Sequence, residues 1–218
     1  NKSLPDGRII ATNGEAGYQA KTLAPGLYWF MWIWQYGVDM VPFTIVPEGK
    51  IGLILSKDGN EIPTGRIMAR FVESDNFQDA TKFLSSGGQR GRQTAYMTAG
   101  SYRINLHLFE ITITDLISIK ENMVGIVTTL DGEPLPNNSI AGKQVEGHNN
   151  FQDIDYFLQH GGNRGLQPQP ILAGSYYINP WAVQVEETFM TDVPIGNVGV
   201  VISYIGEEGK DVTGDSFK

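Results

Sequence analysis

The sequence predicts a mainly β protein: small antiparallel β modules in tandem, barrel- or sandwich-like, two of them carrying a short inserted helix and a Gly-rich loop. Three observations carry this. The 218 residues repeat themselves, 26 Gly and 11 Pro punctuate the chain into short elements, and the apolar residues fall in short runs or alternate. With 41% hydrophobic and 11% aromatic residues there is ample material for a core, which excludes a disordered chain. The long Ala/Glu/Lys/Leu runs of a helical bundle are missing.

The repeat is read directly. Asn76-Phe77-Gln78-Asp79 returns as Asn150-Phe151-Gln152-Asp153, Gly87-Gly88-Gln89-Arg90-Gly91 as Gly161-Gly162-Asn163-Arg164-Gly165, and Ala99-Gly100-Ser101-Tyr102 as Ala173-Gly174-Ser175-Tyr176, all at a spacing of 74. Upstream the spacing is 73, as in Asp58-Gly59 against Asp131-Gly132. Pro25-Gly26-Leu27-Tyr28 marks an earlier, shorter copy in which Asn13-Gly14 takes the place of the Asp-Gly turn. Val193-Pro194-Ile195-Gly196 opens a further copy, matching Val46-Pro47-Glu48-Gly49. The organisation is therefore a short β module over 1–45, long modules over 46–118 and 119–192, and the start of another over 193–218. A start at Asn1 and an end inside a copy predict an excised piece of a longer protein.

Within a long copy the elements follow in order. Ile51-Gly52-Leu53-Ile54-Leu55, Val124-Gly125-Ile126-Val127 and Val198-Gly199-Val200-Val201-Ile202 are short, β-branched and bounded by turn residues, so they read as buried strands. The Asp-Gly pairs are hairpin turns, since both residues tolerate positive φ. A short helix follows, with Asn76 as N-cap, Asp79 completing a capping box, and Phe77, Ala80, Phe83 and Leu84 facing inward. Gly87 ends it. After Gly100, Phe109, Ile111 and Ile113 alternate with Glu110, Thr112 and Thr114 as a half-buried strand. Val183 and Val185 match the first two, and Tyr36, Val38 and Met40 take the same inward positions in the short copy after one extra residue. A module this small has a marginal core, so adjacent copies are expected to pack together.

Composition removes several functions. A net charge of −8 and a pI near 4.8 argue against nucleic acid as a partner. The absence of Cys removes thiol catalysis, disulfides and Cys-based zinc sites. His107, His148 and His160 share no metal-ligand spacing, so neither metal nor cofactor is expected. The longest dense apolar run, Leu27–Trp34, is too short to span a bilayer.

The segments Val193-Pro194-Ile195-Gly196-Asn197-Val198-Gly199-Val200-Val201 and Leu23-Ala24-Pro25-Gly26-Leu27-Tyr28 resemble the start of the SPFH or band 7 domain, the superfamily of stomatins, prohibitins and flotillins. The long copies, with their Asn-Phe-Gln-Asp and Gly-Gly-x-Arg-Gly segments, are similar to the N-terminal repeats of bacterial flotillin-like proteins. The tandem β-repeats of major vault protein are a more distant likeness. The resemblance implies a membrane-associated, oligomeric scaffold rather than an enzyme, and it brings no catalytic residues. The full-length protein is then expected at a membrane and this fragment in solution. The coiled-coil part of flotillins has no counterpart in the sequence.

Three candidate sites stand out. The run Tyr28-Trp29-Phe30-Met31-Trp32-Ile33-Trp34 is apolar on both faces, so Trp29, Trp32 and Trp34 are candidates for contact with a membrane or a partner; packing against a neighbouring module is the favoured expectation. Arg90 and Arg164 sit in Gly-rich loops and are candidates for partner recognition, against the plainer expectation that each pairs with a local carboxylate. Asp79 and Asp153 recur, and their place at a helix start makes capping the expected role. The leading function is a scaffold array whose partners are neighbouring modules, other copies of the chain, or a membrane reached through segments outside the sequence. A carbohydrate-binding module using Trp29, Trp32, Trp34, Tyr177 and Trp181 is the alternative, and a hydrolase with a carboxylate pair is the third.

Overall fold

The computed structural model describes residues 3–32, 34–137 and 139–202. It is mainly β, with thirteen strands and two short helices among these residues. The first copy contributes β1 (Ile10–Ala11) and β2 (Tyr18–Gln19). The second holds β3 (Thr44–Val46), β4 (Lys50–Ser56), β5 (Met68–Ala69), α1 (Ala80–Ser85), β6 (Gly91–Met97), β7 (Gly100–Tyr102) and β8 (Phe109–Asp115). The third holds β9 (Ile117–Ile119), β10 (Met123–Thr129), α2 (Ile154–Gln159), β11 (Gly165–Leu166), β12 (Gly174–Tyr176) and β13 (Val183–Phe189).

The two long copies share one topology. The Gly-containing apolar strand is central: β4 lies between β6 and β8, and β10 between β11 and β13. β4 and β8 pair antiparallel over seven residues, with Gly52 opposite Ile113 and Ile54 opposite Ile111. β10 and β13 do the same, with Gly125 opposite Glu187 and Val127 opposite Val185. A second small antiparallel pair, β3 with β7 or β9 with β12, closes the other side of each copy. These are small open sheets, and none closes into a barrel among the described residues. Two contacts depart from the antiparallel expectation: β5 runs parallel to β6, and β1 parallel to β2.

The helix begins later than the sequence predicts. Its N-cap is Asp79, whose carboxylate accepts from Lys82 N, and in the next copy Asp153 accepts from Tyr156 N. Asn76 lies before the helix, in a left-handed turn of Asp75, Asn76 and Phe77 with φ of 53°, 49° and 64°. Asn149, Asn150 and Phe151 repeat it at 49°, 52° and 61°. This conformation costs about 1–2 kcal/mol per residue with a side chain, least for Asn and Asp. Burial offsets it. Phe77 packs among Phe83 and Phe109, and Phe151 against Phe157 and His148. Each residue of Asn-Phe-Gln-Asp thus has its own task. Asn takes the left-handed turn and Phe fills the core. The Gln oxygen accepts from Arg103 N (Gln78, 3.0 Å) or Tyr177 N (Gln152, 2.9 Å), and Asp caps the helix.

The short copy is also corrected. Arg8-Ile9-Ile10-Ala11 matches Arg66-Ile67-Met68-Ala69, and Ile10 faces Tyr18 just as Met68 faces Arg92. Asn13-Gly14 therefore lies between β1 and β2, where the long copies insert the helix, and does not stand for the Asp-Gly turn. The Asp-Gly turns do something else: each is pressed against the Gly-rich loop. A Cβ on Gly59 (φ +134°) would stand 2.5 Å from Gly88 O, so only glycine fits.

Each core borrows from the copy before it. Ile10 and Ala20 of the first copy are buried with Val46, Ile54, Phe83 and Phe109 of the second. Met68 of the second is buried with Ile119, Val127, Phe157 and Val183 of the third. The copies are not separate globules.

Candidate functional site

The recurring polar residues gather at the junctions between copies, and the same arrangement appears twice. At the first junction the Asp58 carboxylate, fully buried, accepts from Ile9 N (2.9 Å) and Ile10 N (2.8 Å) of the preceding copy and from its own turn at Gly59 N (2.6 Å). Arg8 Nε stands 3.0 Å from the same carboxylate as an ion pair, without hydrogen-bond alignment. At the second junction Asp131, 1% exposed, accepts from Ile67 N (3.3 Å), Met68 N (2.8 Å), Gly132 N (2.7 Å) and Arg66 Nε (2.9 Å). A carboxylate so enclosed is tolerable because its lone pairs are met by backbone donors and one cation.

A second point of attachment lies beside it. The Asn105 side-chain amide donates to Gln19 O (3.0 Å) and Ala20 O (3.1 Å) of the first copy. Asn179 donates to Gln93 O (3.0 Å) and Thr94 O (3.2 Å) of the second. Each Asn also accepts from a backbone N–H two residues on, His107 or Trp181, which fixes its rotamer. A ring contact completes the set. Tyr18 stacks on His107 at 3.7 Å, and at the matching positions Arg92 lies 5.3 Å above the Trp181 ring. The second junction adds Tyr96 against Tyr177, and Asp155 of α2 accepting from Phe71 N and Thr94 Oγ1.

This is a two-point clip. The carboxylate of one copy holds the backbone donors of the strand before it, and the amide of the same copy holds backbone acceptors of the next strand. Both act on main chain, so they fix position rather than read side chains.

The residues singled out from the sequence lie elsewhere. Trp29 and Trp34 are 85% and 79% exposed, and Trp32 is exposed and stacked on Trp34 at 5.2 Å. Trp29-Phe30 and Trp34-Gln35 lie in turns, and among the described residues of the run none forms a strand packed on a neighbouring module. Arg90 pairs with Glu61 at 2.9 Å. Arg164 is exposed, and its backbone N–H donates to Glu133 O. The loop N–H and C=O groups at Gly88, Arg90, Gly162 and Arg164 are bonded to the residues after the Asp-Gly turns. Asp79 and Asp153 accept from their helices, as expected of caps. Among the described residues no three His, Asp or Glu gather as a metal site, and no helix is long and apolar enough to cross a membrane.

Sequence reasoning missed the clip. Its signal was present: Arg-Ile-x-Ala recurs at 8 and 66, and Asn at 105 and 179. The histidines differ from copy to copy. His148, at the position of Ser74, is buried, and its Nδ1 accepts from Phe151 N at 2.8 Å. Burial pushes its imidazole below the ordinary value, against the opposing pull of hydrogen bonds at Val145 and Gln169.

Compared with protein families, curated proteins and solved structures, the chain matches none significantly.

Proposed function

We propose that the chain is a non-enzymatic scaffold, an interaction-repeat region of a membrane-associated SPFH, flotillin-like protein that contributes to oligomeric assembly or to the organisation of membrane microdomains. The observation that carries this reading is the clip at both junctions. The recurring polar residues are consumed in joining one copy to the next. Such an array offers surface and fixed spacing without a reaction centre. The membrane part rests on the likeness of 23–28 and 193–201 to SPFH segments. Fractionation of cells that make the protein tests it: the bulk is expected with membranes, and recovery of the bulk in the supernatant overturns the reading.

The carbohydrate-binding alternative draws on the exposure of Trp29, Trp32 and Trp34. Two of its five rings are engaged at the second junction, Trp181 under Arg92 and Tyr177 against Tyr96. Glycan titration with tryptophan fluorescence as readout decides it: no quenching with any glycan class leaves the scaffold reading alone.

A further inference from the structure

The link between β1 and β2 carries a reactive pair that the fold does not use. Asn13-Gly14 is the one Asn-Gly pair in the sequence; every other Asn is followed by a residue with a side chain. Both residues are exposed, and the chain bends at 12–14 without closing a hydrogen-bonded turn. Among the described residues no acceptor meets Gly14 N. Gly14 sits at φ +82°, and a Cβ built on it would meet nothing within 4 Å, so its backbone is uncrowded. The Asn13 side chain is held lightly, by a contact from Nδ2 to Thr12 Oγ1 at 3.2 Å. Asparagine is a thermolabile residue, and an unhindered nitrogen next in the chain can close a ring on its side chain.

The Asp-Gly turns are built the opposite way. Asp58 and Asp131 are buried, and backbone donors of the preceding copy pin each carboxylate. A Cβ on Gly59 or Gly132 would stand 2.5 or 2.4 Å from a loop carbonyl, so neither turn has room to rearrange.

The place of Asn13 gives the reaction a consequence. β1 and β2 are the strands by which the second copy holds the first. Asp58 accepts from Ile9 N and Ile10 N before the bend, and Asn105 donates to Gln19 O and Ala20 O after it. Glu15 ties the bend between these two points. Its Oε2 accepts from Thr12 N (3.1 Å) and Asn13 N (2.7 Å), and Gln19 Nε2 donates to Glu15 O and Gly17 O, both at 2.9 Å. A carboxylate at position 13 would face that of Glu15, and like charges repel. At the second junction the strands β5 and β6 are joined through the helical insert, which holds no Asn-Gly pair.

We propose that Asn13 is a site of spontaneous deamidation, and that its aspartyl and isoaspartyl products loosen the first junction while leaving the second intact. The Gly14 nitrogen gives up its proton and bonds to Asn13 Cγ. The Cγ–Nδ2 bond breaks, and the side-chain nitrogen leaves as ammonia with that proton. Solvent water then opens the ring. Addition at Cγ gives aspartate; addition at the Asn13 main-chain carbonyl carbon gives isoaspartate, which adds a methylene to the main chain between the two attachment points. Ring closure needs a deprotonated nitrogen, so the reaction speeds as the pH rises. The inference rests on the junction and not on membrane association.

The test ages the whole chain at mildly alkaline pH. Tryptic mapping by mass spectrometry is expected to show conversion first in the peptide of residues 9–21, whose one asparagine is Asn13. Amide exchange followed by NMR is expected to speed up at Ile9 and Ile10 in the aged chain and to stay unchanged at Ile67 and Met68. Asn13→Gln, aged alongside, is expected to keep the exchange of fresh protein at each of these amides. Conversion at another asparagine before Asn13 overturns the site. Unchanged exchange at Ile9 and Ile10 in the converted chain overturns its effect on the junction. So does equal acceleration at Ile67 and Met68, or the same acceleration in aged Asn13→Gln.

Discussion

His148 shows how one residue can tune one copy. It sits where the neighbouring copy has Ser74, and its ring is closed in with Phe151 and Phe157. The folded form holds the imidazole below the 6.5 of an exposed ring, chiefly by burial. The unfolded chain therefore binds the proton first. The contribution is fully present above that value and is lost as the pH falls from 6.5 through the lowered folded value. Protonation would also remove the Nδ1 acceptor used by Phe151 N. Thermal melts from about pH 7.5 to about pH 5 should show a steeper loss of Tm in the wild type than in His148→Ser. Equal loss in both proteins would show that other groups carry the acid sensitivity. The neighbouring left-handed turn was beyond the reach of sequence reasoning. Asn76 and Asn150 are good helix caps and equally good left-handed residues, and only the burial of Phe77 and Phe151 decides between the two.

At the scale of elements, the apolar strands, the insert helices and the alternating closing strands were legible, because each advertises itself through a local period or a turn residue; the Asp-Gly pairs read as hairpin turns, but β4 and β5 on either side of Asp58-Gly59 do not pair with each other. The parallel contacts of β5 with β6 and β1 with β2 were not, since a two-residue strand has no period to read. The clip was hidden for a different reason. Asn105 lies 85 and 86 residues from its carbonyl partners, and nothing local distinguishes an Asn that will reach another copy from one that faces water. The shift between the spacing of Arg-Ile-x-Ala and that of Asp-Gly held the information, because it places one copy's strand beside the next copy's turn. Asn105→Ala and Asn179→Ala each remove the two hydrogen bonds to carbonyls of the preceding copy and one accepted from His107 N or Trp181 N. Each should cost about 1–2 kcal/mol in chemical denaturation. A midpoint unchanged in either variant contradicts its role as an attachment point.

At the scale of the whole molecule, the copies are one mechanical unit, joined by buried polar contacts and shared cores rather than strung on linkers. Ile10 and Met68 complete cores that belong to the following copies, so neither long copy is self-sufficient. In a nearest-neighbour array the interface terms decide whether the copies unfold together. The most direct measurement of the central claim is a double-mutant cycle across the second junction, with Arg66→Ala, Asp131→Ala and the pair compared by denaturant unfolding. Asp131→Ala should cost about 3 kcal/mol, because it leaves Ile67 N and Met68 N without an acceptor as well as breaking the ion pair. The two costs should fall short of additivity by about 1–3 kcal/mol. Additive costs together with an Asp131→Ala cost below about 0.5 kcal/mol would mean that the copies are not joined through this carboxylate.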